Sequence, residues 1–105
     1  MTDQELWQVT SADEAVIGTF VKDGRIATMP AKRTKRLIVL DYAAGHFDIG
    51  VRYPEVAVNG ILRSLFDDYV ALRRYLIDEG FLDRSGGEYW RIGGTVAMDQ
   101  PAAGG

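Results

Sequence analysis

The feature that most constrains the fold is an amphipathic helix followed directly by a β-hairpin. Residues 67–81 read DDYVALRRYLIDEGF, with apolar residues at spacings of three and four that predict one helix. Asp67 or Asp68 can cap its start, and Gly80 is its predicted C-cap. Two short stretches then flank Ser85-Gly86-Gly87, the pattern of a two-stranded hairpin. The expected buried stripe of the helix consists of Tyr69, Leu72, Leu76 and Ile77.

Three further helices precede this unit in the prediction. A short one begins at a capping box in which the side chains of Ser11 and Glu14 each bind a backbone N–H of the other residue. A second helix runs from Pro30, which fits a first helical turn, to about Gly45. A third opens at Pro54-Glu55. Its expected apolar side consists of Val56, Val58, Ile61, Leu62 and Leu65.

The order of these elements is helix, short strand, helix, turn, helix and hairpin. We therefore predict an α+β, mainly α, fold: a winged helix-turn-helix with an extra N-terminal helix. In that fold the helix after the turn is the recognition helix and the hairpin is the wing. The predicted organisation is an acidic N-terminal segment with a short helix over 1–23, the winged-helix domain over 24–92 and a flexible tail over 93–105.

Charge and composition narrow the classes of function. The 105 residues include no cysteine, which excludes disulfides, thiolate zinc sites and a cysteine nucleophile. No apolar run approaches the ~20 residues of a membrane span, and the acidic N-terminus lacks a signal-peptide pattern, so we expect no membrane partner and a cytoplasmic location. The net charge of −3 divides into −4 over 1–23, +2 over 24–92 and −1 over 93–105, so the central part is only mildly basic.

Catalytic chemistry is not expected. His46 is the only histidine, so a histidine-based triad or a two-histidine metal site would need a second chain. We interpret it as a capping or packing residue at a helix end. The adjacent carboxylates Asp67-Asp68 and Asp78-Glu79 point in different directions on a helix, which favours a cap and a solvated surface. We expect no enzymatic activity, catalytic residue, metal or cofactor.

The strongest signal for nucleic acid is a basic run at the predicted start of the second helix. The helix dipole disfavours each cation there by about 0.3–1 kcal/mol, so local stability does not explain the run and phosphate attraction would. The alternative is a solvated face whose basic stems cover apolar surface. The candidate DNA contacts of this run are Lys32, Arg33, Lys35 and Arg36.

The recognition helix and the wing add further candidates. Arg74 is our candidate DNA contact on the helix because it lies opposite the apolar stripe. Arg73 diverges from it by about 100° and either faces outward or pairs with a carboxylate such as Glu55 or Asp68. Two wing arginines either reach phosphates or are solvated. These two residues are Arg84 and Arg91.

Two observations favour other roles for polar residues near the predicted interface. Asn59 hydrogen-bonds either a base or a neighbouring helix, and its middle position in the third helix favours the helix. The recognition helix begins with Asp67-Asp68, where carboxylates repel phosphates and favour only a cytosine amino group.

Several short pieces of the chain carry a resemblance to a known family. They are Met29-Pro30-Ala31-Lys32-Arg33, Glu55 with Val58-Asn59, Asp68-Tyr69 with Leu72-Arg73-Arg74, Gly80-Phe81-Leu82 with Arg84, and Tyr89-Trp90-Arg91. With these pieces, residues 24–91 resemble a bacterial family labelled domain of unknown function 2087. The resemblance implies a transcriptional-regulator-like winged helix, which some members carry behind a separate helix-turn-helix domain. The chain departs from the pattern at Pro54, where a threonine-like cap is expected.

Three functions are compatible with the sequence. The leading hypothesis is a winged-helix transcriptional regulator that binds double-stranded DNA mainly through phosphates. The alternative is a protein-interaction or dimerisation module, such as a homodimer, that has the winged-helix shape and binds no nucleic acid; the acidic first segment favours it. The third is a small-ligand sensor with an aromatic pocket. The pocket would be lined by Tyr42, Tyr53, Tyr69, Tyr75, Tyr89 and Trp90.

Overall fold

The computed structural model describes residues 11–95, with side chains from residue 13 onward. The helices of this part are α1 (Ser11–Phe20), α2 (Arg33–Ala44), α3 (Glu55–Leu65) and α4 (Tyr69–Asp78). Its strands are β1 (Val21–Lys22), β2 (Arg25–Ile26), β3 (Tyr53–Pro54), β4 (Leu82–Ser85) and β5 (Glu88–Arg91). The predicted α+β, mainly α, class is confirmed, and the order from α2 to β5 is consistent with a winged-helix-like layout. None of the helices in residues 11–95 is long and apolar enough to cross a lipid bilayer.

The helix pair α3–α4 packs through leucines that recur every three or four residues. This spacing places one stripe of each helix against the core. Asp68, rather than Asp67, caps α4: its Oδ1 accepts a hydrogen bond from the Ala71 N–H at 3.1 Å. The turn between the helices is therefore short and defined. The buried leucines of the pair are Leu62, Leu65, Leu72 and Leu76.

Three strands form an antiparallel sheet in the order β3-β5-β4. Tyr89 of the central strand pairs with Tyr53 on one side and with Arg84 on the other. Its side chain is buried, so this face of the sheet belongs to the core. The wing turn is Gly86-Gly87, with φ of +60° and +82°. A two-residue hairpin turn of this kind needs positive φ at both positions, which glycine adopts without strain.

The extra N-terminal helix and a second hairpin cover one side of α2. The strands β1 and β2 pair antiparallel across a turn at Asp23-Gly24, where both residues have positive φ. Val16, Phe20 and Val21 pack against the core. Predictions for residues 1–10, and for the Ser11 side chain in the capping box, lie outside the described residues.

Residues 93–95, which the sequence analysis places in the tail, contact the domain. The Thr95 N–H donates a hydrogen bond to Asp41 Oδ1 at 2.6 Å. The carbonyl of the same residue accepts one from Arg91 Nη2, also at 2.6 Å. These bonds join the segment to α2 and to the end of β5. The rest of the predicted tail, 96–105, lies outside the described residues.

Two sequence-based details are wrong. The helix α2 begins at Arg33 rather than at Pro30; Pro30 is buried ahead of it, and Lys32 occupies the N-cap position without a side-chain capping bond. Val56 is 77% exposed and does not belong to the apolar side of α3. Val58 is buried. Residues two positions apart in a helix point about 200° away from each other, so Val56 faces solvent.

Gly80 follows α4 with φ of +81°, and a methyl group there would meet no atom within 4 Å. Backbone strain alone therefore opposes alanine, and we predict that Gly80→Ala lowers the free energy of unfolding by about 1 kcal/mol. The control is Gly60, which is exposed within α3 and equally open. Gly60→Ala should raise the free energy of unfolding by about 0.5–1 kcal/mol. Urea unfolding measures both, and shifts of the same sign would contradict the prediction.

Candidate nucleic-acid interface

Three residues of α4 are exposed: Val70, Arg74 and Asp78. They are spaced by four residues, so they lie on one line along the helix, on the side away from the buried Leu72 and Leu76. The other residues of α4 are buried or half-buried. We call Val70, Arg74 and Asp78 the α4 ridge. The ridge is the most accessible part of α4 for a binding partner.

An open groove lies between α4 and the wing. Its volume is about 260 Å³. Three guanidinium groups and one carboxylate contribute to its wall, so the groove attracts anions. We call it the arginine groove. Its lining consists of Val70, Arg73, Arg74, Ile77, Asp78 and Arg84.

The arginine groove is supported from behind by a contact between α3 and α4. Arg73 Nη1 donates a short hydrogen bond to Asn59 Oδ1, and both residues are half-buried. Asn59 thus binds a neighbouring helix, which is the role that its position favours. The partner of Arg73 is this amide rather than Glu55 or Asp68. Arg73 lines the arginine groove and also joins α4 to α3 behind it.

Arg84 connects the arginine groove to a second hollow, of about 300 Å³, beneath the wing turn. There the Tyr89 hydroxyl donates to Glu55 Oε1 at 3.0 Å, and the Glu55 N–H donates to the Gly87 carbonyl at 3.1 Å. The start of α3 thereby anchors the wing. Interaction with the Tyr89 side chain, and then with Glu55, raises the pKa of Arg84.

The basic run at 32–36 does not form one cationic surface. Arg33 donates to both carboxylate oxygens of Glu79, at 2.6 and 3.1 Å. Arg36 lies over the ring of Tyr75, 5.0 Å from its centroid. Two of the four cations therefore tie α2 to the C-terminal half of α4. These contacts give Arg33 and Arg36 a structural role, which neither of the two interpretations of the basic run included.

Lys32 and Lys35 are exposed and form no ion pair or side-chain hydrogen bond within residues 13–95. Arg33 faces α4, and Lys35 lies about 160° around α2 from it. Lys35 therefore points away from the α4 ridge. The two lysines are exposed and available for an anionic partner.

Arg91 lies at the base of the wing rather than beside its turn. Its guanidinium donates to three backbone carbonyls, those of Gly93 at 2.9 Å, Phe47 at 3.3 Å and Thr95 at 2.6 Å. The side chain is half-buried and joins three segments of the chain. This use of its donors argues against the predicted phosphate contact, because binding a phosphate would compete with these bonds.

The carboxylates at the start of α4 are both engaged. Asp68 caps the helix, and Asp67 Oδ1 accepts a hydrogen bond from Arg25 Nη2 at 2.5 Å. Arg25 Nη1 also donates to the carbonyls of Arg63 and Ser64, at 3.1 and 2.9 Å. Arg25 thereby caps the end of α3 and offsets the charge of Asp67. It was not among the sequence-based candidates, because its partners lie 38 to 42 residues further along the chain.

The aromatic residues proposed for a ligand pocket are dispersed. Tyr89 is in the core, the Tyr42 hydroxyl donates to the Gly24 carbonyl at 3.2 Å, and the Tyr53 hydroxyl accepts from the Asp48 N–H at 2.8 Å. Of the aromatic set, only Tyr89 lines either of the two hollows described here. The described residues therefore give the ligand-sensor hypothesis no support.

The chain is an α+β domain with a layout consistent with a winged-helix-like one, and it carries the arginine groove between α4 and the β4–β5 hairpin. A family model described as an uncharacterized protein conserved in bacteria, DUF2087, matches residues 25–91. The chain belongs to this bacterial family, and the resemblance read from its sequence is confirmed. The matched segment runs from β2 to the end of β5 and contains the whole arginine groove. Neither a curated protein nor a solved structure matches the chain.

The Arg33–Glu79 pair makes stability depend on pH. Hydrogen bonds from Arg33 lower the pKa of Glu79 below its ordinary value of 4.5, against an opposing effect of burial. A lowered folded-state pKa contributes stability above the unfolded pKa, and this contribution is lost as pH falls through the folded pKa. We predict that Glu79→Gln destabilises the domain near neutral pH and that the difference shrinks below pH 4.5.

Urea unfolding at about pH 7 and at about pH 3 measures this difference. The control is Glu79→Gln introduced into an Arg33→Gln background, where most of the pH-dependent loss should be absent. A loss of the same size at both pH values would contradict the assignment.

Proposed function

We propose that this protein is a winged-helix transcriptional regulator that binds double-stranded DNA, largely through phosphates. The observation that supports the proposal best is the arginine groove, because it lies between the two elements that a winged helix applies to a duplex. Three of its six lining residues are arginines. No catalytic step, metal or cofactor is assigned to the chain.

Arg84 is the principal phosphate contact in this proposal. It lies on β4 two residues before Gly86-Gly87, so it is close to the wing turn, which has no side chain of its own to offer. The residue lines both hollows. Arginine can bind a phosphate with two parallel hydrogen bonds, which gives geometric as well as electrostatic preference.

A protein-interaction or dimerisation module is the second candidate function. The exposed aliphatic residues Ile49, Val51 and Ile92 favour it. Arg91 binds the Phe47 carbonyl, so the α2–β3 loop that carries the first two lies next to the end of β5, after which Ile92 follows. Exposed apolar surface, where it is contiguous, is typical of protein interfaces. A monomer mass by light scattering at high concentration, together with no partner in a pull-down, would count against this candidate.

Replacing Arg84 tests the proposed phosphate contact. Fluorescence anisotropy of a labelled mixed-sequence duplex, at about 50 and about 200 mM salt, should show binding that weakens steeply with salt. Arg84→Ala should weaken binding to every sequence and reduce the log–log salt slope by about 0.9. The matched control is Lys22→Ala, which removes one exposed cation from the N-terminal hairpin. Equal effects of the two substitutions would contradict the assignment of Arg84.

The lysines at the start of α2 provide a second comparison. We predict that the double variant Lys32→Ala/Lys35→Ala loses less affinity than Arg84→Ala alone, because Lys35 points away from the α4 ridge. Both lysines are exposed and unpaired within the described residues, so the double variant should fold normally. A loss larger than that of Arg84→Ala would move the DNA contact from the groove to α2.

A further inference from the structure

The α4 ridge carries a chemistry that phosphate binding does not explain. Val70 is 45% exposed, although an aliphatic side chain is disfavoured in water and gains nothing from a phosphate. One turn further on, Arg74 is exposed and has no hydrogen-bond or ion-pair partner within residues 13–95. An apolar side chain and a guanidinium group without a partner in residues 13–95 therefore lie next to each other on the exposed face of α4.

These two side chains match two groups that only certain bases present. In the major groove, thymine alone carries a C5-methyl group, and guanine presents the O6 and N7 acceptors that arginine binds in a bidentate manner. Resting on the proposed function, we propose that the α4 ridge reads bases. Val70 packs against the methyl group of a thymine, and Arg74 donates two hydrogen bonds to a guanine.

The position of the pair along α4 supports this role. Val70 and Arg74 are the second and sixth of the ten residues of α4, and a recognition helix contacts base edges with its N-terminal part. Of the two carboxylates that precede them, Asp68 is used as the helix cap and Asp67 is paired with Arg25.

The spacing of the two residues limits where the two bases lie. Four residues of α-helix rise by about 6 Å, and successive phosphates of one strand are about 3.4 Å apart along the duplex axis. The thymine and the guanine should therefore lie within two base pairs of each other. The expected binding site is a duplex in which this thymine and this guanine face the same major groove.

Selection from duplexes with a randomised central segment gives the first test, with anisotropy measurements on the enriched duplex as the second. Enriched sites should contain a thymine within two base pairs of a guanine. Deoxyuridine in place of that thymine removes only the methyl group and should weaken binding about three- to five-fold. Replacing that guanine with 7-deazaguanine removes the N7 acceptor and should weaken binding about ten-fold.

Matched variants assign each penalty to its side chain. Val70→Ala should abolish the deoxyuridine penalty alone, and Arg74→Ala the 7-deazaguanine penalty alone. Arg74→Lys should preserve the salt slope and weaken the guanine preference, because an ammonium group lacks the rigid planar donor pair of a guanidinium. The control is Asp78→Asn on the same ridge, which should strengthen binding to all sequences and keep both penalties. Urea unfolding of each variant separates these effects from loss of fold.

The outcomes distinguish base readout from DNA binding itself. Penalties that persist unchanged in Val70→Ala and Arg74→Ala, or enriched sites without the thymine–guanine pair, overturn the base readout. Salt-dependent binding with no base preference overturns the readout and leaves the proposed function intact. Absence of binding at about 50 mM salt overturns both.

Discussion

The rotational setting of α4 about its own axis determines every other feature of the candidate interface. Burial of Leu72 and Leu76 fixes that setting, and the helical repeat then turns Val70 and Arg74 outward. A shift of one residue in the packing would rotate the ridge by about 100°, which would bury Arg74 or remove it from the groove. The chemistry presented to a partner therefore depends on leucine packing that makes no contact with that partner.

Polar contacts on the two flanks of α4 reinforce this setting. On one flank Arg73 binds Asn59 of α3, and on the other Glu79 binds Arg33 of α2. Exposed ion pairs contribute little stability, so the main effect of the Arg33–Glu79 pair is to position the helix. The Glu79 side chain is only 16% exposed, which makes its geometry better defined than that of a surface pair. A rigid helix presents its ridge with less entropy lost on binding.

Periodicity and turn chemistry were enough to predict the class of fold, the wing and the outward direction of Arg74, because these depend on neighbouring residues. The roles of the other cations depend on residues distant in sequence. Arg33 binds Glu79, 46 residues further along, and Arg91 binds backbone carbonyls, which have no sequence signature. Counting charges therefore overestimated the surface available for DNA. Val70 was missed because one exposed valine in a helix carries no signal until its neighbours are seen to be buried.

The overall charge of the chain makes the combination of ridge and groove significant. A protein of net charge −3 gains little long-range attraction to DNA, so in the proposed function the phosphate affinity comes mainly from Arg84 in the arginine groove. Non-specific binding by so few cations is weak and competes little with a specific site. The ratio of specific to non-specific affinity governs occupancy in a genome, so a modest number of base contacts can produce useful discrimination. In the proposed function, weak non-specific attraction to phosphates and a short base-reading surface therefore both favour occupancy of the specific site.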